Sequence, residues 1–284
     1  MFLSLLAAVA AAIGYGVSTV MQAVAARRAQ GLAVVRQPLV ILAFTVDLVA
    51  WLFSLVALDH LPLFVVQAVL ASSLVVTVLL ARVFLSVPMR RIDVAAMTAI
   101  VAALVVLGIA GGEQPAPVPP DWFTPVLIGV AAGLAVVALV FYKAGTPVLL
   151  AVIGALGYSG AAVAARGAHA SGDIWDTIFQ PLAIAIVLFG VVGALAYLRS
   201  LERGKVGTNA AILSVVEVVV PGAVGIAVLG DTIRSGWDPA VAVAALVALA
   251  GCVVLATSPA NEAAESGEAS DGVGPSKDEA AEPA

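Results

Sequence analysis

Two carboxylic acids, Asp47 and Glu217, fall near the middle of long apolar runs, and neither run contains a lysine or arginine. A charge at the centre of a bilayer costs at least ~2.5–3.5 kcal/mol on insertion scales, so acids kept there usually face a bundle interior and serve an ion, proton or substrate path. Carboxyl oxygens in such a place suit proton coupling or the binding of a hard cation. The plainer alternative is a neutral acid hydrogen-bonded to a neighbouring helix. Other polar side chains fall at comparable depth: Gln67, Ser72, Ser73 and Thr77 in a third run, Asn209 and Ser214 beside Glu217, and Gln22 near the end of the first run. Of these, Gln67, Ser72, Thr77 and Asn209 are the candidates to hydrate or orient a solute, although a single Ser or Thr is more often glue between helices. Pro221 stands four residues after Glu217, where it removes the backbone donor to the carbonyl of residue 217 and frees an acceptor beside the acid. Tyr15 and Tyr158 lie on glycine-containing faces (Gly14 and Gly16; Gly154, Gly157 and Gly160) and read better as packing residues.

No catalytic constellation accompanies these groups. The chain lacks G-x-S-x-G, H-E-x-x-H, P-loop and dinucleotide fingerprints. The one cysteine, Cys252, sits in an apolar run and reads as a packing residue, and His60 and His169 have no Cys or His neighbours to make a zinc site. The reading is of a non-enzyme without a cofactor, with any metal ligand set left open.

The elements that must hold these residues are membrane helices. Of 284 residues 62% are apolar and 11% charged, and the mean hydropathy is +1.13. Soluble chains run at roughly 45–50% apolar and about 25% charged, so lipid is the expected solvent. Runs of about 20 apolar residues, enough to cross a bilayer, occur at about 3–24, 38–58, 62–81, 93–110, 123–142, 147–165, 178–197, 207–229 and 239–257. The fold class expected is therefore all-α, a polytopic bundle of about nine transmembrane helices. Pro38, Pro62, Pro147 and Pro239 stand at run starts, where a missing N–H costs little. The first run lacks a basic leader and is followed by Arg27-Arg28, so it reads as a retained helix rather than a signal peptide.

Charge sets the orientation. With the N-terminus outside, the cytoplasmic segments collect eleven bases: Arg27, Arg28, Arg36, Arg82, Arg90, Arg91, Lys143, Arg199, Arg203, Lys205 and Lys277. The external loops keep only Arg166 and Arg234, which is a strong positive-inside bias. The expected location is a bacterial-type cytoplasmic membrane, multi-pass, with the C-terminus inside. Trp122, Trp175 and Trp237 fall at external boundaries, in the headgroup zone that indoles prefer. From Ser258 onward seven acids face one base, while the rest of the chain is nearly neutral. The low isoelectric point thus belongs to the tail, and no basic face is left for nucleic acid. Residues 258–284 are expected to be a disordered acidic cytoplasmic tail. The bilayer and a small-molecule or ion substrate are the expected partners, and a homodimer is compatible with the reading.

The chain also resembles itself at a shift of about 143–146 residues. Gly14-Tyr15 matches Gly157-Tyr158, Ala50-Trp51-Leu52 with Ser54-Leu55 matches Ala196-Tyr197-Leu198 with Ser200-Leu201, and Ile92-Asp93 matches Trp237-Asp238. The shift pairs spans five apart, an odd number, so partners cross in opposite directions. That predicts two inverted-topology halves, residues 1–111 with four helices and 112–257 with five, the first of these unpaired. Such repeats place a solute site near the midplane between halves and allow alternating access. At an offset of 145, Ser72 is the counterpart of Glu217.

The segment Leu61-Pro62-Leu63-Phe64-Val65-Val66-Gln67-Ala68, with Ser72-Ser73, Thr77 and the basic loop Arg90-Arg91, resembles the drug/metabolite transporter superfamily. In the second half Glu217 and Pro221 precede Leu229-Gly230-Asp231-Thr232-Ile233, which is similar to that superfamily's L-G-E-[RK]-[LI] turn before its last helix. The resemblance covers about residues 3–257. It departs from EamA-type members in having nine rather than ten helices, a count closer to the NIPA-like magnesium transporter branch. Asp231 stands where the turn usually has Glu, and Ser86-Val87-Pro88 replaces the turn in the first half. The resemblance implies a transporter moving a small solute by alternating access, coupled to protons or a cation. Alternatives are a magnesium or other divalent cation transporter and a non-transporting membrane scaffold subunit.

Overall fold

Proline opens three of the long helices, at Pro38, Pro147 and Pro181, with its fixed φ already suited to a first turn. In lipid only a continuous helix meets its own backbone hydrogen bonds, which is why the apolar runs resolve into helices and nothing else. The computed structural model describes residues 2–26, 38–112, 114–116, 118–168 and 180–266. Within them the chain forms α1 (Phe2–Ala26), α2 (Pro38–His60), α3 (Leu63–Ala71), α4 (Ser73–Phe84), α5 (Arg91–Gly111) and α6 (Phe123–Phe141). There follow α7 (Pro147–Ala168), α8 (Pro181–Arg203), α9 (Val206–Ala227), α10 (Asp238–Ala256) and α11 (Pro259–Ser266). No strand occurs among the described residues. Among the described residues nine segments are long and apolar enough to span a membrane, α3 and α4 together making one of them. The protein is thus an all-helical polytopic membrane protein.

The packing order is simple. α1 lies along α2 and α4, α7 lies along α8 and α9, α3 meets α9, and α5 pairs with α10. α6 touches α8 and α7 from the periphery and buries only Phe123 and Ala131. Exposed large apolar residues line the outward faces, among them Leu139, Val140, Ile184, Val187, Val243 and Leu246, as a lipid-facing surface requires.

Two crossings are set by small residues. A Cβ on Gly157 of α7 would lie 2.6 Å from the Cα of Gly193 and 2.8 Å from the carbonyl oxygen of Phe189, both on α8. A Cβ on Gly14 of α1 would lie 2.8 Å from the Cβ of Ala50 on α2. Without a hydrophobic drive between helices in lipid, such close backbone approach supplies much of the association.

The bundle has a basic end, where α1, α4, α6, α8 and α10 finish, and an opposite end. The expected disorder from residue 258 does not hold at its start. Pro259–Ser266 form α11, with Ala260, Asn261, Ala263 and Ala264 buried. Ser258 starts the helix by accepting the Asn261 N–H on its hydroxyl, 3.2 Å, and the Glu262 N–H on its carbonyl, 3.0 Å. The three alanines follow a short i, i+3, i+4 pattern that overall tail composition conceals. They join a core cluster with Val20 and Ala23 of α1, Val78 and Ala81 of α4, and Cys252 and Leu255 of α10. Residues 267–284, the rest of the acidic tail, lie outside the described residues.

Gly157→Ala should therefore force α7 and α8 apart and destabilise the protein by about 1–3 kcal/mol. Gly190→Ala on α8, where an added Cβ meets nothing within 4 Å, should change stability by less than about 0.5 kcal/mol. Unfolding in mixed detergent micelles measures both.

Candidate functional site

α9 carries Glu217 at the bundle centre because of where its apolar residues fall. Its exposed stripe includes Thr208, Val219, Ala223 and Ile226. Thr208 and Ile226 each stand nine residues from Glu217, about 180° around a helix, so the acid points away from the lipid-facing stripe. Ser214, Val218 and Pro221 on neighbouring positions are buried, while Glu217 itself is half-buried. Pro221 sits inside the helix and withholds the N–H that would otherwise bond the carbonyl of residue 217. Among the described residues no hydrogen bond and no charged neighbour acts on the Glu217 carboxyl.

Asp47 lies on the inner seam of α2, in line with the buried Ala43, Ala50 and Ser54. One carboxyl oxygen accepts the Gln22 amide N–H at 3.0 Å. The same amide donates to the Ser18 hydroxyl at 2.9 Å, and Ser18 donates to the carbonyl of Ala43 at 3.0 Å. A polar seam thus runs between α1 and α2. Two tyrosines connect it with Glu217. Tyr15 of α1 and Tyr158 of α7 each lie within electrostatic range of both Asp47 and Glu217, and of each other. Tyr15 also shares a side-chain hydrogen bond with Ser54. Tyr197 of α8 lies within range of Glu217 and Tyr158. α1, α2, α7 and α9 thus bring Tyr15, Asp47, Tyr158 and Glu217 into one group, which Tyr197 of α8 joins from the side of Glu217. The tyrosines were expected to be packing residues. The repeat match Gly14-Tyr15 with Gly157-Tyr158 was the signal that they occupy equivalent places.

The remaining candidates divide. Ser72 marks an interruption between α3 and α4. Its hydroxyl donates to the Val69 carbonyl at 2.6 Å, and its own carbonyl accepts the Val75 N–H at 2.8 Å. Gln67 is buried on α3, which packs against α9, and Thr77 is buried on α4 beside Val78. Asn209 is not part of this group. It lies eight residues before Glu217, about 12 Å along the axis. Its side-chain amide nitrogen donates to the Ser200 carbonyl at 2.7 Å, tying the end of α8 to the start of α9. Among the described residues no cluster of three His, Cys, Asp or Glu side chains is arranged to hold a metal ion.

The end opposite the basic one is closed by an ion pair that charge counting assigned to loops. Arg166, in the last turn of α7, and Asp231 are fully buried and meet at 3.0 Å. Arg166 also donates to the carbonyls of Leu58, at the end of α2, and of Gln114. The other Asp231 oxygen accepts the Leu63 N–H at 2.6 Å, at the start of α3. Among the described residues the Nε of Arg166 has no partner. Burial of a charge needs such a set of partners, and a loop exposed to water would not have supplied it.

At the basic end α11 lies across the bundle. Glu265 accepts hydrogen bonds from the Tyr197 hydroxyl and the Asn261 amide, each at 3.0 Å. Burial raises the Glu265 carboxyl from 4.5 to about 7, against the lowering effect of those two donors.

Arg166→Met, which strands Asp231, should cost about 3–5 kcal/mol in detergent unfolding, and adding Asp231→Asn should restore part of it. For α11 the sign follows from Glu265. Docked, the acid holds its proton up to about pH 7, and undocked it loses it near 4.5. Docking is therefore strongest below about 4.5, weakens as pH rises through that window and levels off above about 7. Backbone hydrogen exchange across 259–266, corrected for intrinsic rates, should show this decline, and Glu265→Gln should flatten it.

Comparison of the whole chain with protein-family models, with curated proteins and with solved structures finds no match in any of the three.

Proposed function

We propose that this protein is a secondary transporter of the drug/metabolite transporter type, moving a small solute by alternating access with proton or cation coupling. The observation that carries the reading is Glu217. It is a half-buried carboxyl turned inward at mid-span, with no counter-charge and no hydrogen bond among the described residues, beside two phenols. An acid left unpaired at that depth needs a function to offset its cost, and taking up a cation or proton in transit supplies one. A permanent scaffold contact would instead hold the acid dry and hydrogen-bonded, as Arg166 and Asp231 are held.

The packing pattern supports two inverted halves. The contacts of α1 with α2 and α4 have counterparts in those of α7 with α8 and α9, while α5 meets its counterpart α10 directly. α6 has no counterpart in this scheme and lies at the periphery. The interruption at Ser72, the repeat counterpart of Glu217, supports a midplane site, since transporters of this kind build such sites from broken helices. The positive-inside bias supports an external N-terminus and a cytoplasmic basic end.

Reconstitution into proteoliposomes enclosing a pH-sensitive dye tests the reading. Small amines, neutral metabolites and Mg²⁺ are presented as separate arms. At least one should enter with a change in lumenal pH or charge. Glu217→Gln should cut that flux by at least about tenfold, as loss of an interaction made only in the working cycle would, while leaving detergent stability nearly unchanged. Flux equal to that of the parent protein in the variant would sink the assignment of Glu217. Response in the Mg²⁺ arm alone would move the reading to divalent cation transport.

A further inference from the structure

We infer that α11 is a lid that closes the cytoplasmic mouth of the Glu217 site, an inference that rests on the transport reading and its orientation. Four observations converge on it. α11 packs on α1 and α4 of the first half and on α9 and α10 of the second, so it spans the seam between the halves. Its Ala260, Ala263 and Ala264 are buried in the cluster that fills the basic end of the bundle. Its Glu265 accepts the hydroxyl of Tyr197, and Tyr197 is itself within electrostatic range of Glu217, so the lid seats directly on a group facing the site. Its Glu262 carboxyl rests against Gly207 in the first turn of α9, where a Cβ would come within 2.8 Å of it.

The seat is tight but not fully satisfied. The Asn261 amide nitrogen bonds Ala256 and Glu265, yet its buried oxygen has no partner among the described residues. Release of α11 returns that oxygen to water, and the hydrogen bond regained there offsets part of the packing lost. Arg166 and Asp231 tie the far end together, and α11 packs across this end. Solute exchange with the cytoplasm then requires α11 to leave.

The test uses the full-length chain with Cys252→Ala, so that introduced thiols report alone. Ser214→Cys places a thiol on α9 one turn from Glu217 toward the basic end, and Ala263→Cys places one on the buried face of α11. Ala260→Lys puts a charge into the seat and should release the lid. In inside-out vesicles a membrane-impermeant maleimide should then label both thiols at least about tenfold faster than in the chain with Ala260, in proportion to the open fraction. Should Ala260→Lys leave Ala263→Cys protected, the pair Ala260→Lys with Ala264→Lys is read in the same way. The inference is overturned if Ala263→Cys labels as fast with Ala260 as with Ala260→Lys. It is equally overturned if release of α11 leaves Ser214→Cys as slow as before. Labelling needs no solute, so the two readings fail separately. A site that opens on release in a protein that moves no solute keeps the lid and drops the carrier. Glu217-dependent flux with Ser214→Cys labelled equally in both backgrounds keeps the carrier and drops the lid.

Discussion

A polar group in hydrocarbon must find its partner within the protein, and the arrangement of this bundle follows from that constraint. An unsatisfied backbone group costs several kcal/mol in the bilayer core, and a bare charge costs more. The two acids at depth are accordingly turned inward, while exposed hydroxyls such as Thr45 and Thr98 bond carbonyls of their own helices. Asp47 faces the α1–α2 seam, where Gln22 meets it. Glu217 faces away from the stripe of Thr208 and Ile226 that meets lipid. Where the third span breaks at Ser72, the break is itself satisfied, because the Ser72 carbonyl takes the Val75 N–H and its hydroxyl takes the Val69 carbonyl. Glu217 is the exception. Its carboxyl has no partner among the described residues, and its neighbours are phenols rather than cations. The departure from the rule that governs every other acid at depth is what makes this residue informative.

The large features of the fold were legible because hydropathy and length are global quantities. Nine runs gave nine spans, with ends displaced by a few residues. α8 extends to Arg203 rather than residue 197, since Arg199 and Glu202 form an i, i+3 ion pair that sustains helix beyond the apolar run. What depended on contacts between distant segments was less legible. Arg166 reads as a loop charge until its partners, Asp231, Leu58 and Gln114, are brought to it from three other parts of the chain. Asn209 falls in the same run as Glu217, but its amide nitrogen bonds the Ser200 carbonyl near the basic end, a contact that the sequence does not announce. α11 was hidden for a compositional reason. Three alanines among acids and glycines carry little hydrophobic signal, and only a cleft narrow enough for alanine turns them into a docking face. Tyr15 and Tyr158 were visible as a repeated dipeptide, while their relation to the acids needed the third dimension.

The two ends of the bundle are closed by different physics. At the Arg166 end a buried ion pair joins α7 to the turn after α9, and the same guanidinium bonds carbonyls from the end of α2 and the connection before α6. Removing either partner leaves a buried charge, so this closure is stiff. At the basic end the closure consists of alanine packing and a few neutral or singly charged hydrogen bonds. Neutral hydrogen bonds net only about 0.5–1.5 kcal/mol each.

That difference orders the events of any working cycle. A helix of eight residues such as α11 is well below the length of about 12–15 at which isolated helices become marginal in water, so its helicity depends on being docked. Undocking and unwinding are then one step. It returns backbone entropy and hydrates Glu265 and Asn261, all of which offset the lost packing. No comparable compensation is available at the other end, where separating Arg166 from Asp231 exposes nothing that water solvates until both charges are free. In the carrier proposed above the basic end would therefore yield before the Arg166 end, whose ion pair must also part for solute to leave on that side.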